Sequence, residues 1–158
     1  MPSYIVMSTE TEIHDPASMS GLELLRAAMS DPDPDRPGIW RLLGMGAKEI
    51  EEGRVSFTVT PQADFANPLG SVHGGICATL LDSVMGCAVH TTLPAGVGYT
   101  TLELKINYIR AVAVDAGELT ATGTVIHVGG RTATAEGKVF SDDGKLVAHG
   151  TTTCIVFR

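Results

Sequence analysis

HGGICATLLDSVMGCAVHTTL, residues 73–93, runs for about twenty positions without a proline until Pro94. Ile76, Leu80, Val84 and Val89 fall near helical spacing, which predicts one long helix. Its small residues, Gly74, Gly75, Ala78, Gly86 and Ala88, lower helix propensity in isolation. Packing must therefore hold the helix, and small side chains let a neighbouring backbone come close. A surrounding sheet could clasp such a helix tightly.

The flanking segments supply that sheet. Before the helix, RVSFTVT (residues 54–60) alternates Val55, Phe57 and Val59 with polar partners, the period of a strand. PQADFANPLG then reads as an irregular loop. After the helix come four strand signals. YTTLELKINYI sets Leu102, Leu104, Ile106 and Tyr108 against Thr101, Glu103, Lys105 and Asn107. ELTATGTVIHV ends at Gly129-Gly130, a hairpin turn. RTATAEGKVFS and KLVAHGTTTCIVF are joined by a turn at residues 142–144, DDG. Short hairpins imply antiparallel pairing. The expected fold is α+β, a long central helix wrapped by a curved antiparallel β-sheet, which is the hotdog arrangement.

Residues 1–37 read as an N-terminal extension and 38–158 as the main domain. In the extension, Leu22, Leu25 and Met29 have helical spacing, and Ser20 can cap that helix. DPDPDRPG then breaks it as a linker. The first residues have neither a basic stretch nor a sustained apolar run, so no secretory signal is expected. The chain has 158 residues, 44% apolar and 18% charged, enough for one globular core. The apolar run near residues 76–89 is too short, and too polar at Asp82, to cross a membrane. Net charge is −7 and the 11 Lys and Arg are scattered, which argues against nucleic acid. Cys77, Cys87 and Cys154 form no CxxC pair, so free thiols in a reducing cytoplasm are expected.

Asp82 is the awkward residue. Its helical neighbours, Ala78, Thr79, Met85 and Gly86, are uncharged, so the stripe it occupies is not a solvated face. A carboxylate there is costly unless it sits at an interface or a site. At the expected helix start, His73, Gly74 and Gly75 place free backbone N–H groups and the positive end of the helix dipole. Such an end can polarise a carbonyl and hold the oxyanion formed during its attack. Asn67, in the preceding loop, can donate to the same oxygen. His73 and Asp82 are nine residues apart, which on a helix is about 13 Å and half a turn around. They point to opposite sides. If these residues act together, a two-fold dimer can bring Asp82 of one chain to Asn67, His73 and Gly74 of the other.

Asn67, then HGG six residues later, then an acidic residue nine after the His, resembles the hotdog acyl-CoA thioesterases of the phenylacetate-pathway (PaaI) type. The resemblance covers roughly residues 38–158 and includes GGRTATAEGKVFSDDGKLVAHGTTT. It implies that Gly74 supplies the oxyanion N–H and that Asn67 orients the carbonyl. Asp82 would activate water or attack directly, and Thr101 would assist the water, with Thr100 as the alternative. His73 would position the thioester or the loop, and Gly75 would border the substrate. It further implies a homodimer with shared sites, paired into a homotetramer, and no cofactor beyond the coenzyme A of the substrate.

The residue types suit that chemistry. A thioester carbonyl is already electrophilic and a thiolate leaves easily, so one carboxylate base and an oxyanion site suffice. Lys105, Arg110 and Arg131 are the cations available for coenzyme A phosphates, with Arg131 the chosen one. His73 and Cys77 are i, i+4 but lack further ligands, so no metal is expected. A hotdog hydratase or dehydratase would present an Asp–His pair in one subunit's site, which the nine-residue offset does not suit. A non-hydrolytic acyl-CoA-binding protein is the other alternative, and the Asn67, Gly74 and Asp82 set argues against it.

Overall fold

The computed structural model describes residues 15–30 and 37–158. Residues 31–36 of the DPDPDRPG linker and the first fourteen residues lie outside them. The predicted long helix is present as α3 (Gly74–Thr91), introduced here out of order because the rest is built on it. Its Leu80, Leu81, Val84, Met85 and Val89 are fully buried. Each contributes roughly 1.5–3 kcal/mol by leaving water.

The sheet has six strands: β1 (Gly46–Glu51), β2 (Arg54–Val59), β3 (Gly98–Tyr108), β4 (Leu119–Val128), β5 (Thr132–Phe140) and β6 (Leu146–Phe157). All neighbours are antiparallel, in the order β1-β2-β4-β5-β6-β3. The inner face is lined by small residues, Ala121, Ala133, Ala135 and Ala148, so the large side chains of α3 have room to settle close to the sheet. The glycine that lets the sheet backbone come close to α3 is in the sheet rather than the helix. A Cβ added at Gly123 of β4 would lie 2.4 Å from the Val84 carbonyl oxygen.

One strand and one α-helix were not predicted. β1 holds one large apolar residue, Ile50, and lies at a sheet edge, so it has no burial pattern to read. It folds onto β2 through a turn at Glu52-Gly53, where Gly53 has φ +74°. The five-residue helix α2 (Ile39–Leu43) is too short for periodicity to reveal, and ends at Gly44 with φ +63°.

Helix α1 (Gly21–Ser30) lies where Leu25 and Met29 predicted a helix. Ser20 and Glu23 form a capping box: the Glu23 carboxylate accepts from the Ser20 N–H at 2.8 Å, and the Ser20 hydroxyl accepts from the Glu23 N–H at 3.3 Å. α1 packs on α3 and β1 rather than standing clear. Leu25 is buried, the Arg26 guanidinium donates to the Ile50 carbonyl at 2.9 Å, and the Gly21 N–H donates to the Leu93 carbonyl. Among the described residues no helix is long and apolar enough to cross a membrane.

Candidate active site

Asp82 projects from the middle of α3 toward β3, where the Thr101 hydroxyl donates to its Oδ1 at 2.9 Å. Asp82 is exposed in the single chain, at the edge of a cavity of about 300 Å³. The far walls of that cavity are apolar: Leu25 and Met29 of α1, Ile39 and Trp40 of α2, and Phe57 of β2. Trp40 and Phe57 meet edge to face, with centroids 4.6 Å apart. A carboxylate with one hydroxyl donor, facing an apolar chamber, can accept a proton from a water held beside it.

A bulge explains why Thr101 is there. Strict alternation puts Thr101 on the face of Glu103, Lys105 and Asn107, away from Leu104 and Ile106. The β3–β6 register shifts between Thr101 and Glu103. Residues before the bulge therefore exchange faces with those after it, and Tyr99 and Thr101 turn toward α3. Leu102 takes the outward position and is 60% exposed. Thr100 is exposed, one residue out of phase with Thr101, and is not among the residues around Asp82.

The other half lies at the start of α3. His73 is the N-cap, and its Nδ1 accepts from the Gly75 N–H at 2.9 Å. That bond occupies the Gly75 donor. The His73 carbonyl accepts from Ile76. The Gly74 N–H has no partner among the described residues. Tyr108 lies over Gly74 and donates its hydroxyl to the Gly74 carbonyl at 3.0 Å.

Asn67 organises the loop that leads in. Its Oδ1 accepts from the Leu69 and Ser71 N–H groups at 2.9 and 3.2 Å, and its Nδ2 donates to the Ser71 hydroxyl at 2.9 Å. Of the two N–H bonds on Nδ2, one remains for a ligand. Asn67, Gly74, Tyr108 and Arg110 share a second cavity, of about 320 Å³.

These two cavities have no residue in common. Gly74 and Asp82 are separated by eight residues of α3, about 12 Å of axial rise. The structure thus gathers Asn67, His73, Gly74 and Gly75 in one place and Asp82 and Thr101 in another. Arg131 joins neither: it is exposed on the β4–β5 hairpin. Arg110 is the cation beside Gly74, with its Nη1 donating to the Leu146 carbonyl. Burial pushes the Cys77 thiol up to about 11 and the Cys87 thiol to about 12, so neither is a ready nucleophile.

Ser71, Tyr108 and Trp40 were not singled out from the sequence. Tyr108 carried a signal, because it ends an alternating strand whose other inward residues are aliphatic. Trp40 and Ser71 carried none, since their positions depend on α2 and on the loop hydrogen bonds.

The model of the thioesterase superfamily matches residues 69–148. An esterase of Halobacterium salinarum, so named, is 31% identical over 115 residues, 70% of this chain and 74% of its own. A structure from Ralstonia eutropha, described as a thioesterase and phenylacetic acid degradation-related protein, is 30% identical with a TM-score of 0.68. That match covers 75% of this chain and 89% of the other. The 1,4-dihydroxy-2-naphthoyl-CoA hydrolase of Listeria monocytogenes is 24% identical, over 75% of this chain and 95% of its own.

Proposed function

Starting from the fact that this chain belongs to the thioesterase superfamily, as a thioester hydrolase of the hotdog, PaaI-like type, we propose that it hydrolyses an acyl-CoA in a site shared by two chains. The substrate carbonyl oxygen lies on the Gly74 N–H, with the free Asn67 Nδ2–H beside it. Asp82 of the other chain, held by Thr101, takes a proton from water as the water oxygen attacks the carbonyl carbon. The oxyanion collapses, the C–S bond breaks, and the thiolate of coenzyme A leaves and is protonated. Direct attack by the Asp82 carboxylate, followed by hydrolysis of the anhydride, uses the same geometry. The Listeria relative acts on a CoA ester, which supports the substrate class. Arg110, at the Gly74 cavity, is better placed than Arg131 to meet the phosphates of coenzyme A. Three unpaired cysteines suit a reducing, cytoplasmic setting.

The observation that carries this reading is the separation of the two cavities, together with the edge strand between them. β3 is eleven residues long and lies at an end of the sheet, an open edge that invites pairing. Pairing β3 with its two-fold copy about a dyad near Lys105 puts Thr101 opposite the partner's Tyr108. The bulge keeps both on the α3 side of the combined sheet. Asp82 then approaches the partner's Gly74.

Complementation tests this directly. Asp82→Asn and Gly74→Pro homodimers should each be inactive. Mixing them after dissociation should restore up to about a quarter of wild-type turnover, because half the dimers then hold one intact site. No recovery from verified heterodimers would rule out the shared site. Saturated and enoyl thioesters assayed side by side separate hydrolysis from hydration.

A further inference from the structure

A second apolar chamber lies behind the first. It has a volume of about 510 Å³ and is lined by Leu24 of α1, His90 of α3, Pro94, Val97 and Phe157. The same two helices build both chambers. On α3, Asp82 and Gly86 border the first and His90 the second, spaced i, i+4 and i+8 along one stripe. On α1, Leu25 and Met29 border the first and Gly21 and Leu24 the second.

Two stacked rings stand between them, Tyr99 on the side of the first chamber and His90 on the side of the second. Tyr99 of β3 lies against Gly86, where an added Cβ would be 3.1 Å from its Cε2. Only a residue without a side chain lets the ring sit so close to α3. On its other side Tyr99 stacks, tilted, on His90, with centroids 5.3 Å apart. Burial lowers the His90 imidazole below its ordinary range, so the ring is neutral where it faces the second chamber.

We propose that the two chambers form one acyl channel partitioned by Tyr99, and that the Tyr99 ring sets the longest acyl chain the enzyme accepts. This rests on the acyl group entering beside Asp82. From Asp82 to Gly86 is one helical turn, about 6 Å, which an extended chain of roughly five carbons spans. From Asp82 to His90 is about 12 Å, room for roughly ten. The wild-type enzyme therefore takes short or compact acyl groups, and the space for longer ones exists but is closed off.

Binding of S-alkyl-CoA thioethers, from butyl to hexadecyl, reads this limit by calorimetry without needing turnover. Wild-type affinity should rise about fourfold per added methylene and then level off near hexyl. Tyr99→Ala should go on rising for several more carbons, and Tyr99→Phe should keep the wild-type limit. Leu24→Trp in the Tyr99→Ala background fills the second chamber and should bring the limit back. Tyr99→Leu serves in place of Tyr99→Ala if the latter fails to fold, as judged by melting temperature. A limit that does not move in the folded variant, or that Leu24→Trp does not restore, overturns the channel, as does failure to bind any thioether. Thioether binding without hydrolysis of the matching thioesters would instead refute the proposed function and leave the channel standing.

Discussion

The start and the middle of α3 are built to opposite specifications. At the start, most polar groups are already engaged: His73 holds the Gly75 N–H, Ser71 holds Asn67, and Tyr108 holds the Gly74 carbonyl. What remains is the Gly74 N–H and one Asn67 Nδ2–H, at a cavity lined partly by polar residues. In the middle, Asp82 has one hydrogen-bond partner among the described residues, Thr101, and faces a chamber walled by apolar side chains. One end is a rigid donor and the other a lightly held acceptor. A group that stabilises a developing oxyanion gains from being fixed beforehand. A base that must gain and lose a proton does not gain from several strong donors, because each one favours its charged form. The difference fits the proposed roles without reference to any substrate.

Removing the acceptor is the severest way to break that division. Asp82→Asn keeps the shape and can still accept from Thr101 but cannot take a proton. Its kcat should fall by about 10³–10⁴-fold, at the upper end of what general-base groups supply. Asp82 is exposed, so the melting temperature should hardly move. Release of the coenzyme A thiol and a thermal melt check both points.

Removing the donor comes next. Position 74 is the first of the helix, where proline fits, and His73 before it is extended at φ −61° and ψ 134°, which proline tolerates. Gly74→Pro therefore deletes the N–H with little damage to the helix, and kcat should fall by about 10²–10³-fold. Gly74→Ala keeps the N–H but brings a Cβ within 3.1 Å of the Tyr108 ring. An alanine variant as poor as the proline one would show that space, not the donor, matters at this end.

The hydrogen bond from Thr101 should matter less. Thr101→Val should lower kcat by about ten- to thirtyfold, the lower range for a bond to a charged group, and Thr101→Ser should restore most of it. Equal loss in both variants would mean that Thr101 acts through packing.

The two ends also differed in how far the sequence revealed them. The donor end was readable because it is local: an Asn, a His and two Gly within nine residues build it, and a helix N-terminus orients its N–H groups by itself. Asp82 stood out because a charge on an apolar stripe needs a reason. Its setting could not be read, since Trp40 on a five-residue helix and Leu25 on α1 reach it from distant parts of the chain. Thr101 was placed on the polar face by alternation, and it meets Asp82 only because a bulge reverses the phase of β3. No pattern in YTTLELKINYI announces that bulge. The fold shows the same contrast. α3 and the four strands after it were evident from period and turn residues, whereas β1, with one large apolar side chain at a sheet edge, had no period to show.

The smallest effect should come from Tyr108, which touches the donor end only through the Gly74 carbonyl. Tyr108→Phe removes that bond and leaves the ring. The loss is of one neutral hydrogen bond near the surface, about 1 kcal/mol, so kcat should fall about three- to fivefold. KM should stay nearly constant, because the N–H that meets the oxyanion is unchanged and only its fixing is looser. A rigid donor is what distinguishes this end of α3 from the other, and Tyr108→Phe loosens it without deleting it. A rise in KM with kcat unchanged would show instead that Tyr108 serves as a wall for the substrate, and that rigidity at Gly74 contributes nothing measurable.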